Sequence, residues 1–426
     1  MSESAEVVTA GREEAVTAPT DSPIGFENDV GFANDVVVVG GCGHVGLPLA
    51  LALAERGLNV VAFDVNPDAV ARVNAGELPF AEPGGAELLA KVLGAGRFRA
   101  ATDPSVVSSA EHVVVVIGTP VDEHLNPDAQ VVPNAVDLLG PHLRDGQLIV
   151  LRSTVYPGVT RLVERVVNGV GRDIDVSFCP ERIAEGKALT ELYELPQIVS
   201  GCSPRAVERA AALFGRLTDT VVRTSPEEAE LAKLFTNTWR YIKFAAANQL
   251  YVIANEYGVD FENVRRAITF DYPRAADMPG AGFAAGPCLF KDTMQLAAFH
   301  QNNFTLGHAS VMVNEGLPLY LVGRLGQRYD LSSLTVGILG MAFKAESDDI
   351  RSSLAYKLRR ILRSKAKAVL CHDPYVTVDP NLRPLDEVLG ESDLLVIGAP
   401  HAMYREIVTD TPVIDVWNVR GGGVLV

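Results

Sequence analysis

Apolar and polar positions repeat in a regular order along the first part of the chain. The run Val36–Gly40 is continuously apolar and β-branched, as expected of a strand buried on both faces. A segment with helical spacing follows and closes at Gly57, and a second apolar run occupies Asn59–Asn66. Strand, helix and strand in this order predict a βαβ unit with a parallel sheet. Two further apolar runs, His112–Gly118 and Gln147–Thr154, predict additional strands.

The pattern changes from Pro204 onward, and its main feature is a long helical segment. Pro226–Gly258 has proline at its start, acidic residues in its first turn, glycine at its end and helical spacing throughout. At 1.5 Å per residue this helix would be roughly 45 Å long, which exceeds most helices of a single domain. We therefore predict that it links two domains and offers a face for a homodimer.

A strand–helix–strand pattern returns at Thr335. Residues 386–400 repeat the order seen in residues 105–120, in which a short helix, an acidic corner and a buried strand precede Gly-x-Pro. The predicted fold class is α/β, with two Rossmann-like α/β domains joined by a long central helix and a helical middle domain. The expected divisions are a disordered acidic tail over 1–34, a Rossmann domain over 35–203, a central helical dimerisation domain over 204–325, and a second α/β domain over 326–426.

Charge and composition exclude several classes of partner. The formal net charge is -16, so no global positive field exists to attract nucleic acid or an anionic membrane. The acidic first residues lack the pattern of a signal peptide. No apolar run approaches the roughly 18 residues of a membrane span. We therefore expect a cytoplasmic protein that acts on a small molecule.

The five cysteines are odd in number and widely spaced, and no CxxC pair occurs. This pattern predicts neither a disulfide framework nor a metal site. Cys288 differs from the others because a segment with three glycines precedes it, which suggests a mobile loop, and Lys291 and Asp292 follow it within one turn. A nearby cation favours the thiolate, which is the nucleophilic form. The alternative is a buried, inert thiol at the start of a helix.

A glycine motif stands between the first predicted strand and the first predicted helix. It reads Gly41-x-Gly43-x-x-Gly46, and Asp64 ends the next strand. Gly41 would form the tight turn, Gly43 would let the backbone approach a pyrophosphate, and Gly46 would let the helix pack closely on the strand. Asp64 would accept hydrogen bonds from a ribose hydroxyl and repel a 2′-phosphate. The motif therefore predicts NAD rather than NADP.

Two further pairs are weaker signals. Lys233 and Asn237 are four residues apart on one face of the predicted long helix. Glu181 and Glu185 are four residues apart in a segment that follows Cys-Pro. Taken alone, each pair favours the interpretation as ordinary solvated side chains, on a helix for the first and on a surface loop for the second.

Taken together and in order, the motifs resemble the UDP-glucose/GDP-mannose dehydrogenase family. The resemblance covers nearly the whole chain after the tail. It implies NAD-dependent, four-electron oxidation of the C6 alcohol of a nucleotide sugar to the uronic acid, through a cysteine thiohemiacetal and thioester, for polysaccharide or glycoconjugate precursors. The matching segments are GCGHVG, ELPFAEPG, VIGTP, RSTVYPG, CPERIAEG, AELAKLFTN, GPCLFKD, ILGMAFKAESDDIR and CHDP.

The resemblance also implies roles for individual residues. Cys288 would be the nucleophile, and Lys233 and Asn237 would flank the reacting oxygen. The residues implied to hold and activate water are Asp292, Glu181 and Thr154. Those implied to line the NAD site are Gly41, Cys42, Gly43, His44, Val45, Gly46, Asp64, Gly118, Thr119, Pro120, Ser153, Thr154, Glu185 and Arg351. Those implied to contact the nucleotide sugar, held mainly by the second α/β domain, are Glu181, Arg182, Lys233, Asn237, Arg274, Gly282, Phe283, Phe343 and Lys344, with Arg274 placed to reach across a dimer interface.

Two departures from the family pattern leave the substrate open. Ala284 and Ala285 stand where the family often has Gly-Gly, and Trp417 stands where it often has arginine. Glucose, N-acetylglucosamine and N-acetylmannosamine all remain candidates for the sugar, and the nucleotide base is not fixed.

Two other functional classes share some of these features. A two-electron β-hydroxyacid dehydrogenase needs neither a thiol nor a third domain, so Cys288 and residues 335–426 argue against it. A non-enzymatic NAD-binding redox sensor leaves the Lys233 and Asn237 pair unexplained. Counting the NADH formed per sugar separates the three classes.

Overall fold

Two β-sheets, built from separate parts of the sequence, organise the protein. The computed structural model describes residues 31–119, 121–122 and 127–426, so nearly all of the predicted tail over 1–34 lies outside the described residues, as does Pro120. The strands are β1 (Asn34–Val39), β2 (Val60–Phe63), β3 (Phe98–Ala101), β4 (Ala110–Val115), β5 (Leu148–Leu151), β6 (Asp175–Phe178), β7 (Gln197–Gly201), β8 (Val221–Arg223), β9 (Thr335–Leu339), β10 (Ala368–His372), β11 (Leu394–Ile397) and β12 (Val413–Ile414).

The first sheet has the strand order β3-β2-β1-β4-β5-β6-β7-β8, and all neighbouring pairs are parallel except β6 with β7. The chain reverses its direction of travel across the sheet between β1 and β4, and a crevice forms there at the carboxyl ends of the strands. Val37, Val38 and Val114 are fully buried, as a strand covered on both faces requires. The sheet continues through β8, past the change of pattern at Pro204.

The second sheet has the order β10-β9-β11-β12, and every neighbouring pair is parallel. The prediction of two Rossmann-like α/β parts is therefore confirmed. The carboxyl ends of β9, β10 and β11 are joined by one buried carboxylate. Asp373 accepts hydrogen bonds from the N–H groups of Met341 and Ala342 and from His401 Nε2 at 2.6, 2.9 and 3.0 Å. This contact fixes the loop that follows β9.

Helices cover both sheets and link them. No helix within the described ranges is long and apolar enough to cross a membrane. The helices are α1 (Gly46–Glu55), α2 (Pro67–Asn74), α3 (Gly85–Gly94), α4 (Val131–Leu139), α5 (Val159–Gly169), α6 (Ala188–Glu194), α7 (Pro204–Phe214), α8 (Pro226–Glu256), α9 (Phe261–Thr269), α10 (Leu289–Phe299), α11 (Thr305–Arg328), α12 (Leu354–Arg363) and α13 (Leu385–Glu391).

Helix α8 is the predicted long helix, and it has 31 residues. Its start is fixed by a capping box, in which Ser225 accepts from the N–H of Glu228 and the Glu228 carboxylate accepts from the N–H of Ser225. It ends at Glu256, and Gly258 has a φ of +80°, a conformation that suits glycine at a helix end. The helix is therefore bounded by local signals that the sequence already contains.

The long helix is anchored to both sheets. Near its start, the buried Glu230 accepts hydrogen bonds from the N–H groups of Gly158 and Thr160 at 2.7 and 2.8 Å, at the beginning of α5. Near its end, Tyr251 belongs to an apolar core shared with α11 and the second sheet. Helices α10 and α11 pack against α8 between these points. The arrangement places α8 and α10 where the two α/β parts meet.

We predict that Ser225→Ala destabilises the protein without changing the reaction. Loss of a serine N-cap costs about 1 kcal/mol, because the orphan N–H groups of the first turn lose their acceptor. Chemical denaturation monitored by circular dichroism measures the change. Ser364→Ala is the matched control, since it removes a solvent-exposed hydroxyl that donates to Ile361 O. It should leave the free energy of unfolding nearly unchanged. Equal stability of the two variants would contradict the capping role.

Candidate active site

The polar residues of α8 and α10 meet at one contact. Asn237 Nδ2 donates to Asp292 Oδ2 at 2.6 Å, and both side chains are buried. Lys291 Nζ lies 3.3 Å from the other oxygen of Asp292. Lys233 stands one turn before Asn237 on the same face of α8. Burial lowers the pKa of the Lys233 amine, and the negative charge of Asp292 opposes that shift.

Cys288 caps the start of α10, and its side chain is exposed to the pocket beside this contact. The expectation that nearby cations would favour its thiolate is wrong in the net direction. Desolvation in the pocket raises the pKa of the thiol, and the Asp292 carboxylate raises it further, whereas Lys233 and Lys291 oppose both effects. The resting side chain is therefore a thiol at neutral pH.

Two of the three glycines before Cys288 lie close to aromatic rings. Gly282 has a φ of +154°, and a Cβ there would lie 2.3 Å from an atom of the Trp417 ring. Gly286 has a φ of +103°, and a Cβ there would lie 2.6 Å from Phe343. Both rings belong to the second α/β part. The loop is thus fitted against aromatic side chains at these two positions, and its mobility stays a prediction.

Glu181 has a different environment from the one expected for a water-activating base. Its Oε2 lies 2.5 Å from Arg152 Nη2 and accepts from Arg152 Nε at 2.8 Å, in a pair that is almost fully buried. Its Oε1 accepts from the N–H groups of Arg182 and Ile183 at 2.7 and 3.0 Å. Both oxygens are thus occupied by strong donors. The Glu181 carboxylate also opposes the lowering of the pKa of the Lys233 amine.

A cavity of about 220 Å³ brings most of the expected substrate residues together. Its walls come from α8, from the loop before α10 and from the second α/β part, and they are mainly apolar. The lining residues are Ile183, Ala184, Glu185, Lys233, Asn237, Arg240, Phe244, Phe283, Ala284, Ala285, Gly286, Pro287, Cys288, Leu289, Phe343, Lys344 and Trp417.

The glycine motif lies at the crevice of the first sheet. A Cβ on Gly41 would lie 2.7 Å from the Ala62 backbone, and one on Gly46 would lie 2.2 Å from Gly40 O. A Cβ on Gly43 would make an ordinary contact with Gly40 O at 3.7 Å, so this position is less crowded than the other two and a pyrophosphate can approach the backbone there. The residue with positive φ is Gly40, at +76°, so the turn requires Gly40 and the close packing requires Gly41.

Asp64 is at the edge of the same crevice. Its carboxylate accepts from the N–H groups of Cys42 and Asn66, each at 3.0 Å, and it links the glycine turn to the end of β2. His44 stacks on Phe80 with ring centroids 4.2 Å apart. Val45 caps α1. The backbone cradle and this acidic residue fit an adenine dinucleotide.

The far side of the crevice is formed by the ends of β4 and β5. Thr119 Oγ1 donates to Thr154 O at 2.7 Å, and Ser153 Oγ accepts from the N–H of Ile117 at 2.8 Å, next to Gly118. Lys291 Nζ donates to Thr119 O at 3.2 Å, so the cysteine segment contacts the crevice directly.

Glu185 and Arg351 bridge the two α/β parts. Arg351 Nη2 donates to Glu185 Oε1 at 3.0 Å and also pairs with Asp349. Lys344 Nζ donates to the backbone oxygen of Glu185. Burial raises the pKa of Glu185, and the Asp349 carboxylate raises it further, whereas Arg351 opposes both.

Four of the nine expected substrate residues do not line the cavity of this chain: Glu181, Arg182, Arg274 and Gly282. The guanidinium of Arg182 donates a hydrogen bond to the Pro196 carbonyl instead of facing the cavity. Arg274 is exposed and stacks on Tyr272, on the short turn Pro273–Ala275. The role of Arg274 across a dimer interface stays a prediction.

Sequence reasoning missed several residues of the site. Arg152 directly precedes the Ser-Thr pair of RSTVYPG, and a charged residue at the end of a buried strand was an available signal. Asp349 lies two residues before Arg351. Phe244 and Asn248 sit on α8, where periodicity alone does not show which polar or aromatic residues face the loop.

Comparison with known proteins places these features in a family. Residues 35–218 match the NAD binding domain of the UDP-glucose/GDP-mannose dehydrogenase family, residues 227–315 match its central domain, and residues 337–421 match its UDP binding domain. The UDP-glucose 6-dehydrogenase of Haloferax volcanii is 34% identical over 356 residues, which are 79% of this chain and 83% of that protein. The UDP-N-acetyl-D-mannosamine dehydrogenase of Pyrococcus horikoshii is 28% identical over 384 residues, 87% of this chain and 90% of that protein.

A solved structure agrees with these sequence matches. The UDP-glucose dehydrogenase of Pyrobaculum islandicum superposes with a TM-score of 0.85 at 28% identity, covering 92% of this chain and 96% of that one.

We predict that Cys288 reacts with iodoacetamide along a pH profile whose midpoint lies above that of free cysteine, about 8.5. Burial and Asp292 disfavour the thiolate, so Asp292→Asn should lower the midpoint. Lys291→Met should raise it, because a cation is removed. Mass spectrometry of the Cys288 peptide measures the rates, and Lys365→Met, which changes an exposed lysine on another surface, should leave the midpoint unchanged. Shifts in the reverse order would refute this electrostatic account.

Proposed function

The chain belongs to the UDP-glucose/GDP-mannose dehydrogenase family, and on that premise we propose how its residues oxidise a nucleotide sugar. It is an NAD-dependent nucleotide-sugar 6-dehydrogenase. The finer proposal is a four-electron oxidation of the C6 alcohol to the uronic acid. The observation that carries it is an accessible thiol, Cys288, beside Lys233, Asn237 and Asp292 at the junction of the crevice and the cavity.

The proposed reaction has two oxidations and one hydrolysis. When bound, NAD would supply the hydride acceptor for each oxidation. In the first, C6 loses a hydride and its hydroxyl loses a proton, which gives the aldehyde. The Cys288 sulfur then forms a bond to C6 as its S–H bond breaks, and the aldehyde oxygen takes up a proton and becomes a hydroxyl. The resulting thiohemiacetal loses a second hydride from C6 and the hydroxyl proton to become a thioester. Water attacks the thioester, the C–S bond breaks, and the acid and the free thiol are formed.

Lys233 and Asn237 are proposed to contact the oxygen on C6. The lowered pKa of Lys233 suits a group that takes the hydroxyl proton and returns it to solvent. Asn237 is oriented by its bond to Asp292, which leaves its second N–H for the substrate oxygen. A pre-oriented donor of this kind is typically worth about 3 kcal/mol in the transition state. Glu181 would then act as a fixed charge that moderates Lys233, and Asp292 and Thr154 would hold the water.

The proposed substrate is a UDP-hexose with a gluco- or manno-configured ring, whose C2 carries either a hydroxyl or an acetamido group. The apolar wall formed by Phe244, Phe283, Ala284 and Ala285 has room for an acetamido methyl. Phe343 and Lys344 would hold the nucleotide sugar from the second α/β part. Initial rates with UDP-glucose, UDP-N-acetylglucosamine, UDP-N-acetylmannosamine and GDP-mannose would rank the candidates.

We predict two NADH per nucleotide sugar oxidised, and a loss of uronic acid formation in Cys288→Ala on the order of 10³-fold or more. NAD affinity should not change, because the thiol lies outside the glycine cradle. Absorbance at 340 nm and chromatography of the sugar product measure both quantities. Cys202→Ala, a cysteine away from the cavity, is the control and should keep full activity. One NADH per sugar, or normal acid formation by Cys288→Ala, would contradict the proposed four-electron mechanism.

We further propose that the protein forms a homodimer through α8. Four large apolar side chains on this helix are exposed, Phe235, Trp239, Leu250 and Ile253, as is that of Tyr257 at its C-cap. At 100° per residue their spacing places them within a stripe roughly 60° wide. A contiguous apolar stripe of this kind on a soluble protein marks an interface. The dimer would also give Arg274 a route to the partner's pocket.

The double variant Trp239→Glu with Ile253→Glu is predicted to be a monomer, because two charges would lie inside the apolar stripe. Sedimentation velocity at micromolar concentration measures the change. Val378→Glu, which charges an exposed apolar side chain of the second α/β part, should sediment like the parent protein. A monomeric parent protein with full activity would count against the dimer and against any role for Arg274 across it.

A further inference from the structure

A buried carboxamide holds the loop that leads to Cys288. Asn248 lies on α8 and is fully buried. Its Nδ2 donates to the carbonyl oxygen of Gly282 at 3.0 Å, and its Oδ1 accepts from the N–H of the same residue at 3.0 Å. One side chain therefore satisfies both polar groups of one backbone residue, as a neighbouring strand would.

A second buried carboxamide orients the first. Asn248 Nδ2 also donates to Asn314 Oδ1 at 2.9 Å, and Asn314 Nδ2 donates to the Tyr241 carbonyl at 3.1 Å. Asn314 lies on α11 and is fully buried. Because each donor in this chain faces an acceptor, the carboxamide of Asn248 cannot turn over without breaking its bonds.

The other face of Gly282 is closed by Trp417. The ring occupies the space that a side chain at position 282 would need, and Phe283 packs edge-on against it with centroids 6.1 Å apart. Gly282 is therefore fixed by α8 on one side and by the second α/β part on the other. Six residues later the chain reaches Cys288.

We propose that Asn248 is the positioning residue of the Cys288 loop. Its carboxamide fixes Gly282, and with it the place from which the sulfur approaches C6. Asn248 is not among the residues that line the cavity, so it acts through the loop alone. The inference rests on the proposed role of Cys288 as nucleophile. A reacting atom displaced by about 1 Å can lose a rate factor of about 10².

Helix α8 supplies a matched control. Asn255 is two turns further along, is equally buried, and its Oδ1 accepts from the N–H of Val426 at 3.0 Å. It makes the same type of bond to backbone, but it holds the C-terminal segment instead of the loop. A purely structural effect of losing a buried asparagine should therefore be similar at the two positions.

The test compares Asn248→Ala with Asn255→Ala, and adds the isosteric Asn248→Asp, which keeps the side-chain volume but removes both donated bonds. We expect both alanine variants to lower the Tm by similar amounts. Only the Asn248 variants should lower kcat, by about 10²-fold, with the Kd for NAD unchanged. They should also raise the rate at which iodoacetamide alkylates Cys288, because the released loop lets the sulfur move out of the pocket in which desolvation disfavours its thiolate.

Two outcomes decide between the proposals. If Asn248→Asp and Asn248→Ala match Asn255→Ala in kcat and in alkylation rate, the positioning role is overturned. If Cys288→Ala still forms acid, the proposed mechanism fails instead, while the alkylation rates still report whether Asn248 holds the loop.

Discussion

The 2.6 Å hydrogen bond from Asn237 to Asp292 fixes the register of α8 against α10, and the site depends on that register. It joins the helix that carries Lys233 to the helix that begins at Cys288. A slip of one residue along either helix would turn these side chains by about 100° and separate the amine from the thiol. The contact is buried, so an unpaired partner would cost more than the bond itself contributes.

Burial at this junction shifts the two reactive groups towards their neutral forms. It lowers the pKa of the Lys233 amine and raises the pKa of the Cys288 thiol, while Asp292 acts on both through its charge. A neutral amine can accept a proton, and a neutral thiol must lose one before it can attack. The same desolvation therefore acts in one sense on both groups, away from the ammonium of Lys233 and away from the thiolate of Cys288.

The two α/β parts contribute unequal elements to the site. The first supplies a backbone cradle, whose geometry depends on glycines at positions where a Cβ would collide with the next strand. The second supplies aromatic rings that press on the loop before the thiol. One long helix, α8, packs against both parts. The position of each part relative to the other, and to the thiol, therefore depends on this helix.

The two α/β parts, the long helix and the dinucleotide cradle can be predicted from the amino-acid sequence. They follow from local signals: apolar runs, the caps at Ser225 and Gly258, and glycines at fixed spacing before Asp64. The contacts of each polar side chain, in contrast, depend on how the elements pack. Glu181 pairs with Arg152, and Arg182 donates to the Pro196 carbonyl instead of facing the cavity. Asn248 binds both backbone groups of Gly282. Each of these contacts involves a residue distant in the sequence. Periodicity specifies which face of an element is buried. The residue that lies opposite that face depends on how separate elements pack. Because hydrogen bonds form only within a few ångströms, the sequence pattern does not show which polar groups will meet.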